Sequence, residues 1–194
     1  MKRILNTILI SAASVLLFSC VKEEAVQVPM NETIVLDISS SATKADFKED
    51  NATESFVSHI DVLIFDDASG TPGVKKHYHR YIVNNASSLT LDARRSSFTA
   101  GSGYHVYLVA NSNLSVEDFA AVQVYDDFVG MKQTDQNLHL TGLANVAGAP
   151  KYFLMDAKAT DSVSGSNTLV VLNNGNASDN TVLHATLRRA AAKV

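Results

Sequence analysis

The sequence predicts a mainly β domain: a β-sandwich of Greek-key type carrying one short helical insertion. Three observations lead there. Short apolar runs with strand-like alternation recur from residue 33 onward. Gly, Asn and Ser clusters separate them, as turns do. One stretch, near 116–130, departs from that period and reads as a helix.

The first residues stand outside the fold. Met1-Lys2-Arg3 is basic, Ile4 to Phe18 is apolar, and Leu17-Phe18-Ser19-Cys20 closes the segment as a lipobox. This pattern is a secretory signal peptide. The run is too short for a transmembrane helix, and Asn6, Thr7 and Ser11 dilute it further. Ser19 is the small residue before the expected cut between Ser19 and Cys20. The Cys20 thiol then takes the acyl chains that hold the exported protein on the bacterial outer membrane. Val21 to Asn31 reads as a polar tether, and its start, Val21-Lys22-Glu23-Glu24, resembles a lipoprotein surface-export signal.

The predicted elements follow in order. Thr33 to Ile38 is a strand with Ile34, Leu36 and Ile38 on one face. Ser39 to Asn51 is small and polar, an exposed loop with Lys44 in its middle, open to a trypsin-like protease. Phe56 to Phe65 is a strand, Asp66 to Gly70 a turn, and Lys76 to Val83 the returning arm of a hairpin. Ser88–Leu91 and Tyr104–Asn111 are further strands. Ser115 caps the helix, with Asp118 completing an approximate capping box. Leu138–Leu140, Tyr152–Met155, Leu169–Leu172 and Thr181–Arg188 complete the set.

Composition narrows function by exclusion. Cys20 is the single cysteine of 194 residues, so the exported domain stands on its hydrophobic core without disulfides. Without Lys2 and Arg3, 14 basic residues face 20 acidic ones, a balance near −6. No basic stripe is present, which argues against nucleic acid as a partner. Arg94-Arg95 and Arg188-Arg189 read as solvated strand-end charges.

No chemical site assembles from the remaining candidates. His77 and His79 share a strand face at a spacing that metal ligands use, but no third ligand is identifiable. Asp66-Asp67 and Asp126-Asp127 follow no calcium-loop pattern and suit turns and helix exteriors. No Gly-x-Ser-x-Gly elbow is present. Tyr78, Tyr81, Tyr104 and Tyr107 could form a sugar platform, although at strand spacing aromatics more often pack. The sequence predicts no metal, no cofactor and no enzymatic activity, and it points to assembly or binding.

The order of pieces resembles the fimbrillin family, the lipoprotein-derived major subunits of type V pili. The resemblance runs through the lipobox at Cys20, the lone strand 33–38, Lys44-Ala45-Asp46-Phe47 and Ile60-Asp61-Val62-Leu63-Ile64-Phe65-Asp66. It continues through Tyr104 to Asn111, Phe153-Leu154-Met155 and Leu187 to Val194. It implies a transthyretin-like sandwich and three parts to the chain: a signal peptide (1–19), a lipidated propeptide carrying a plug strand (20–44), and an N-terminal β-sandwich domain (45–194), expected to be truncated before a C-terminal domain.

The resemblance also implies a maturation path. The subunit reaches the surface as a lipoprotein and is cut between Lys44 and Ala45. Family cleavage sites commonly carry Arg, so a protease accepting Lys is required. The cut removes Cys20 with its lipid and the plug residues Ile34, Leu36 and Ile38. Fully burying one such side chain is worth roughly 1.5–3 kcal/mol. Their loss would uncover about 5–9 kcal/mol of packing and an unpaired sheet edge. A strand from the next subunit would fill the groove, and head-to-tail repetition would build a fimbria supporting adhesion. The family's donor strand comes from the C-terminal part of the subunit, so this chain is expected to accept a strand and not to donate one. Implied partners are other fimbrial subunits, the outer membrane, the processing protease, and a host or bacterial surface ligand. Two alternatives remain open: a lipid-anchored accessory subunit that stays uncut, and a monomeric surface lipoprotein that binds glycan or host protein.

Overall fold

The structure, a computed structural model, describes residues 32–40, 56–134, 152, 154–161, 169–176 and 179–189. Among them are nine strands: β1 (Ile34–Ser40), β2 (His59–Ala68), β3 (Thr71–Ile82), β4 (Ser88–Thr90), β5 (Gly103–Ala110), β6 (Met155–Lys158), β7 (Thr160–Asp161), β8 (Val170–Val171) and β9 (Thr181–Arg189). Two helices, α1 (Val116–Ala121) and α2 (Tyr125–Thr134), stand between β5 and β6. The mainly β expectation holds, and alternation placed most strands within a few residues. The predicted strand Leu138–Leu140 lies outside the described residues, as do Ser19, Cys20, Lys44 and Ala45.

The strands form one curled sheet in the order β3-β2-β5-β6-β9-β1-β4, with β7 on β9 and β8 on β5. β9 makes the curl possible because it is shared along its length. Thr181 to Leu187 pair in parallel with Ile34 to Ser40 of β1. Arg188 and Arg189 pair instead with Asp156 and Met155 of β6, which passes the sheet on to β5. Two separate stacked sheets were the expectation. One long strand serving two neighbours joins their halves.

The curled sheet closes on its own inner face. Ile34 and Leu36 of β1, and Leu183, Ala185 and Leu187 of β9, share one buried cluster with Ile60, Val62 and Ile64 of β2 and Val106, Leu108 and Ala110 of β5. β2 is apolar on both faces for a reason. Leu63 and Phe65 point the other way, into a second cluster with Phe119, Val122 and Phe128 under the two helices. A strand covered on both sides reads as a continuous apolar run rather than an alternating one.

The β2–β3 hairpin pairs as expected, from His59↔Ile82 to Ala68↔Thr71. Its turn residues Ser69 and Gly70 take positive φ, 57° and 90°. Asp67 accepts the Gly70 N–H at 3.1 Å, the local bond that makes Asp a turn residue.

The helical insertion differs from the single helix expected. Ser115 accepts the Asp118 N–H at 3.1 Å, and Asp118 accepts the Ser115 N–H at 2.9 Å, so the capping box forms with Asp in the Glu position. The helix then stops at Val122, whose backbone is extended at φ −54°, ψ 130°. Two contacts with β3 explain the break: Val124 bridges Val74, and Gln123 O accepts the Lys75 N–H at 2.8 Å. A fresh helix starts there, with the Asp127 carboxylate accepting the Gln123 and Val124 N–H groups at 3.0 and 3.1 Å.

Candidate functional site

The site is the slot that β1 occupies. β1 lies between two neighbours, β9 on one side and β4 on the other. β4 pairs antiparallel with it over Val35↔Thr90, Leu36↔Leu89 and Asp37↔Ser88. The Ile38 N–H also reaches Ser87 O at 2.7 Å, and the Leu91 N–H reaches Ile34 O at 2.9 Å. Loss of β1 would therefore leave two facing edges, a slot rather than the single open edge expected.

Three predicted plug residues sit as alternation placed them, but not equally. Ile34 and Leu36 are fully buried, whereas Ile38 is partly buried against the same cluster. Two full burials bring the packing at stake to about 3–6 kcal/mol, with a smaller share from Ile38. The opposite face of β1 carries Val35, Asp37 and Ser39. Asp37 faces His184 at 3.6 Å, and Ser39 shares a 3.0 Å hydroxyl hydrogen bond with Thr186.

The head of the slot is built from distant pieces of chain. Thr33 donates from its hydroxyl to Asn180 Oδ1 at 3.2 Å. Glu32 accepts the Ser96 N–H at 3.0 Å. Hydrogen bonding from Ser96, helped by nearby Arg95 and Arg94, holds the Glu32 carboxyl below its ordinary value. Arg95 overturns the reading of this pair as solvated: it is 3% exposed. Its guanidinium donates to Asp179 O, to Asn174 Oδ1 and, at 3.1 Å, to Asn176 O. Arg94 is exposed as expected. Nothing in the dipeptide separates the two, because the carbonyls that bury Arg95 lie some 80 residues further on.

The described chain resumes at Phe56 and is fastened there independently of β1. The Val57 N–H donates to Asn85 Oδ1 at 2.6 Å and the Ser58 N–H to Asn111 Oδ1 at 2.9 Å. Asn85 and Asn111 hold positive φ of 65° and 59°, which Asn tolerates better than most residues. β1 and the segment that begins at Phe56 thus have separate attachments.

The remaining candidates do not form sites. His79 lies 3.5 Å from Asp92, while His77 Nε2 is buried without a hydrogen-bond partner. No group of three metal-ligating side chains occurs among the described residues. Asp66 holds the Val74 N–H at 2.6 Å and Lys76 at 2.9 Å, and Asp67 accepts from His105 at 2.8 Å. Asp127, in the first turn of α2, reaches back to the N–H groups of Gln123 and Val124. The tyrosines make no sugar platform. Tyr78 stacks on Phe119, Tyr104 meets Phe98 edge-on, and Tyr107 packs with Phe65, Tyr125 and Phe128. Tyr81, pushed up to about 12 by burial, accepts the Asp92 N–H at 2.5 Å.

Two histidines give the fold a predicted acid limit. Burial lowers the values of His59 and His77 below 6.5, so the unfolded chain protonates first as pH falls. Stability is then present above the unfolded value and is lost as pH drops below it. The melting temperature is expected to decline from about pH 6.5 downward. His77→Leu should flatten part of that slope, and an unchanged pH profile would count against the assignment.

The family described as Major fimbrial subunit protein (FimA) matches residues 31–189. A search among curated proteins returned no match. Among solved structures, the tip fimbrial protein Mfa3 from Porphyromonas gingivalis with C-terminal truncation aligns with a TM-score of 0.51 at 15% identity, over 81% of this chain and 48% of that one. A fimbrial assembly protein from Parabacteroides distasonis aligns with a TM-score of 0.46 at 16% identity, over 81% and 52%. The chain spans about half the length of these structures, and the Mfa3 likeness speaks for a shared fold.

Proposed function

The chain belongs to the FimA major fimbrial subunit family, and on that premise we propose that it is a structural subunit of a surface fimbria, supporting adhesion and assembled by strand replacement. It is exported as a lipoprotein on Cys20 and cut between Lys44 and Ala45. It is then joined to the next subunit by a strand that takes the place of β1. The observation that carries this reading is the seating of β1. A segment ahead of Lys44 in the sequence supplies Ile34 and Leu36 to the core. It is flanked by β9 and β4, so any replacement strand meets backbone partners on both sides.

The chemistry of the exchange is ordinary recognition by strand addition: backbone hydrogen bonds give affinity, and alternate side chains give specificity. One cut separates lipid and plug from the rest of the chain, which stays fastened at Val57 and Ser58. Because the contact is head-to-tail and does not close on itself, repetition gives a fibre.

Lys44→Ala should keep the protein lipidated, membrane-bound and unpolymerised. Fractionation of cells and gel analysis of unheated surface material read this directly. Polymer formation by Lys44→Ala at the unaltered level would reject cleavage at that bond as the trigger. Unaltered protein that stays uncut yet sits at the membrane end of fimbriae would mark it as an anchor subunit instead.

A further inference from the structure

We propose that the head of the β1 slot is a second recognition point, which reads a carboxylate placed two residues ahead of the first apolar residue of whichever subunit strand fills the slot. This rests on the strand-replacement reading and adds to it a chemical requirement on the incoming strand.

The apolar part of the slot offers little register control. Ile34, Leu36 and Ile38 present similar side chains every second residue, so a strand displaced by two residues would still place apolar groups inward. The head lacks that degeneracy. Glu32 stands two residues before Ile34, and its carboxylate accepts the Ser96 N–H at 3.0 Å. Arg95 fixes the position of that N–H. Its buried guanidinium ties the Ser96 segment to Asn174, Asn176 and Asp179, which lead into β9. The N–H that donates to the carboxylate and the strand that pairs with β1 are therefore parts of one fixed frame.

A cavity of about 280 Å³ opens beside the carboxylate, lined by Glu32, Arg95, Ser96, Asn173 and Asn176 among others. Arg94 and Arg95 both favour negative charge there. Proteolysis at Lys44 would remove Glu32 together with β1, leaving the Ser96 N–H and the cavity to the newcomer. A strand with Asp or Glu at that place regains a charge-assisted hydrogen bond, and one shifted by two residues does not.

The test uses the full chain with a site-specific protease sequence replacing residues 41–46, nicked after folding so that both pieces remain together. Fluorescent peptides spanning residues 31–40 are then offered as replacements: the native sequence, E32Q and L36D. The native peptide should be captured, and L36D should not enter. E32Q should bind about three- to tenfold more weakly at low salt, a gap that narrows at high salt. Equal capture of native and E32Q peptides would overturn the carboxylate site while leaving strand replacement intact. Failure of every peptide to enter, with no release of the nicked segment, would overturn strand replacement and this inference with it.

Discussion

Deleting residues 33–38 is expected to reduce stability by at least about 3–6 kcal/mol, the packing contributed by Ile34 and Leu36 alone. Domains of this kind have only about 5–15 kcal/mol in total, so the shortened chain should melt far below the intact one. The loss extends beyond packing. β9 would lose its parallel partner over the five residue pairs from Ile34↔Thr181 to Ile38↔Ala185, and β4 its partner over three. Exposed facing edges invite aggregation, so the shortened chain should also associate. A synthetic peptide of residues 32–40 should restore both melting temperature and solubility. Thermal denaturation by circular dichroism, with and without the peptide, measures the effect. An unchanged melting temperature on deletion would show that β1 is an accessory strand and not a plug.

Asp61→Ala should cost about 3–5 kcal/mol, through a different part of the molecule. Asp61 is fully buried in β2. Its carboxylate accepts two bonds from Arg80, at 2.8 and 2.9 Å, and one from the Tyr78 hydroxyl at 2.9 Å. Arg80 also donates to Leu114 O at 2.8 Å and lies over the Phe119 ring, so the cluster ties β2 and β3 to the start of α1. Removing the carboxylate leaves a largely buried guanidinium without its counter-charge. Replacing both partners, as in Asp61→Leu with Arg80→Met, should recover much of the loss, because the cost of an unpaired buried charge disappears. Urea denaturation of the single and double variants measures both effects. A loss below about 1 kcal/mol for Asp61→Ala would place the pair in the range of solvent-screened contacts. Since this clasp shares no partner with β1, its cost should add to that of the deletion rather than overlap with it.

The strands were legible because side-chain alternation is a local property. Ile34-Val35-Leu36-Asp37-Ile38 and Leu183-His184-Ala185-Thr186-Leu187 state which face is inward without reference to anything else. The capping box at Ser115 and Asp118 was legible for the same reason. What sequence could not convey is contact between distant segments. The helix breaks at Val122 because β3, some 50 residues earlier, takes Gln123 and Val124 as strand partners. The plug reading placed Ile34, Leu36 and Ile38 on one face, yet gave no sign that β4 would close the slot's second side. Arg95 carried no local mark of burial, because its partners are the Asn174 side-chain amide and the backbone carbonyls of Asn176 and Asp179, far along the chain. The head of the slot was invisible for that reason, although Glu32 stood in plain view just before the strand.

Fimbriae isolated from the bacterial surface, or the surface-exposed protein itself, provide the most direct test. N-terminal sequencing with mass spectrometry reads which end the assembled subunit carries. The account predicts a chain beginning at Ala45, without Cys20, its acyl groups or β1. Assembled subunits that all begin at acylated Cys20 and retain residues 33–38 would contradict it.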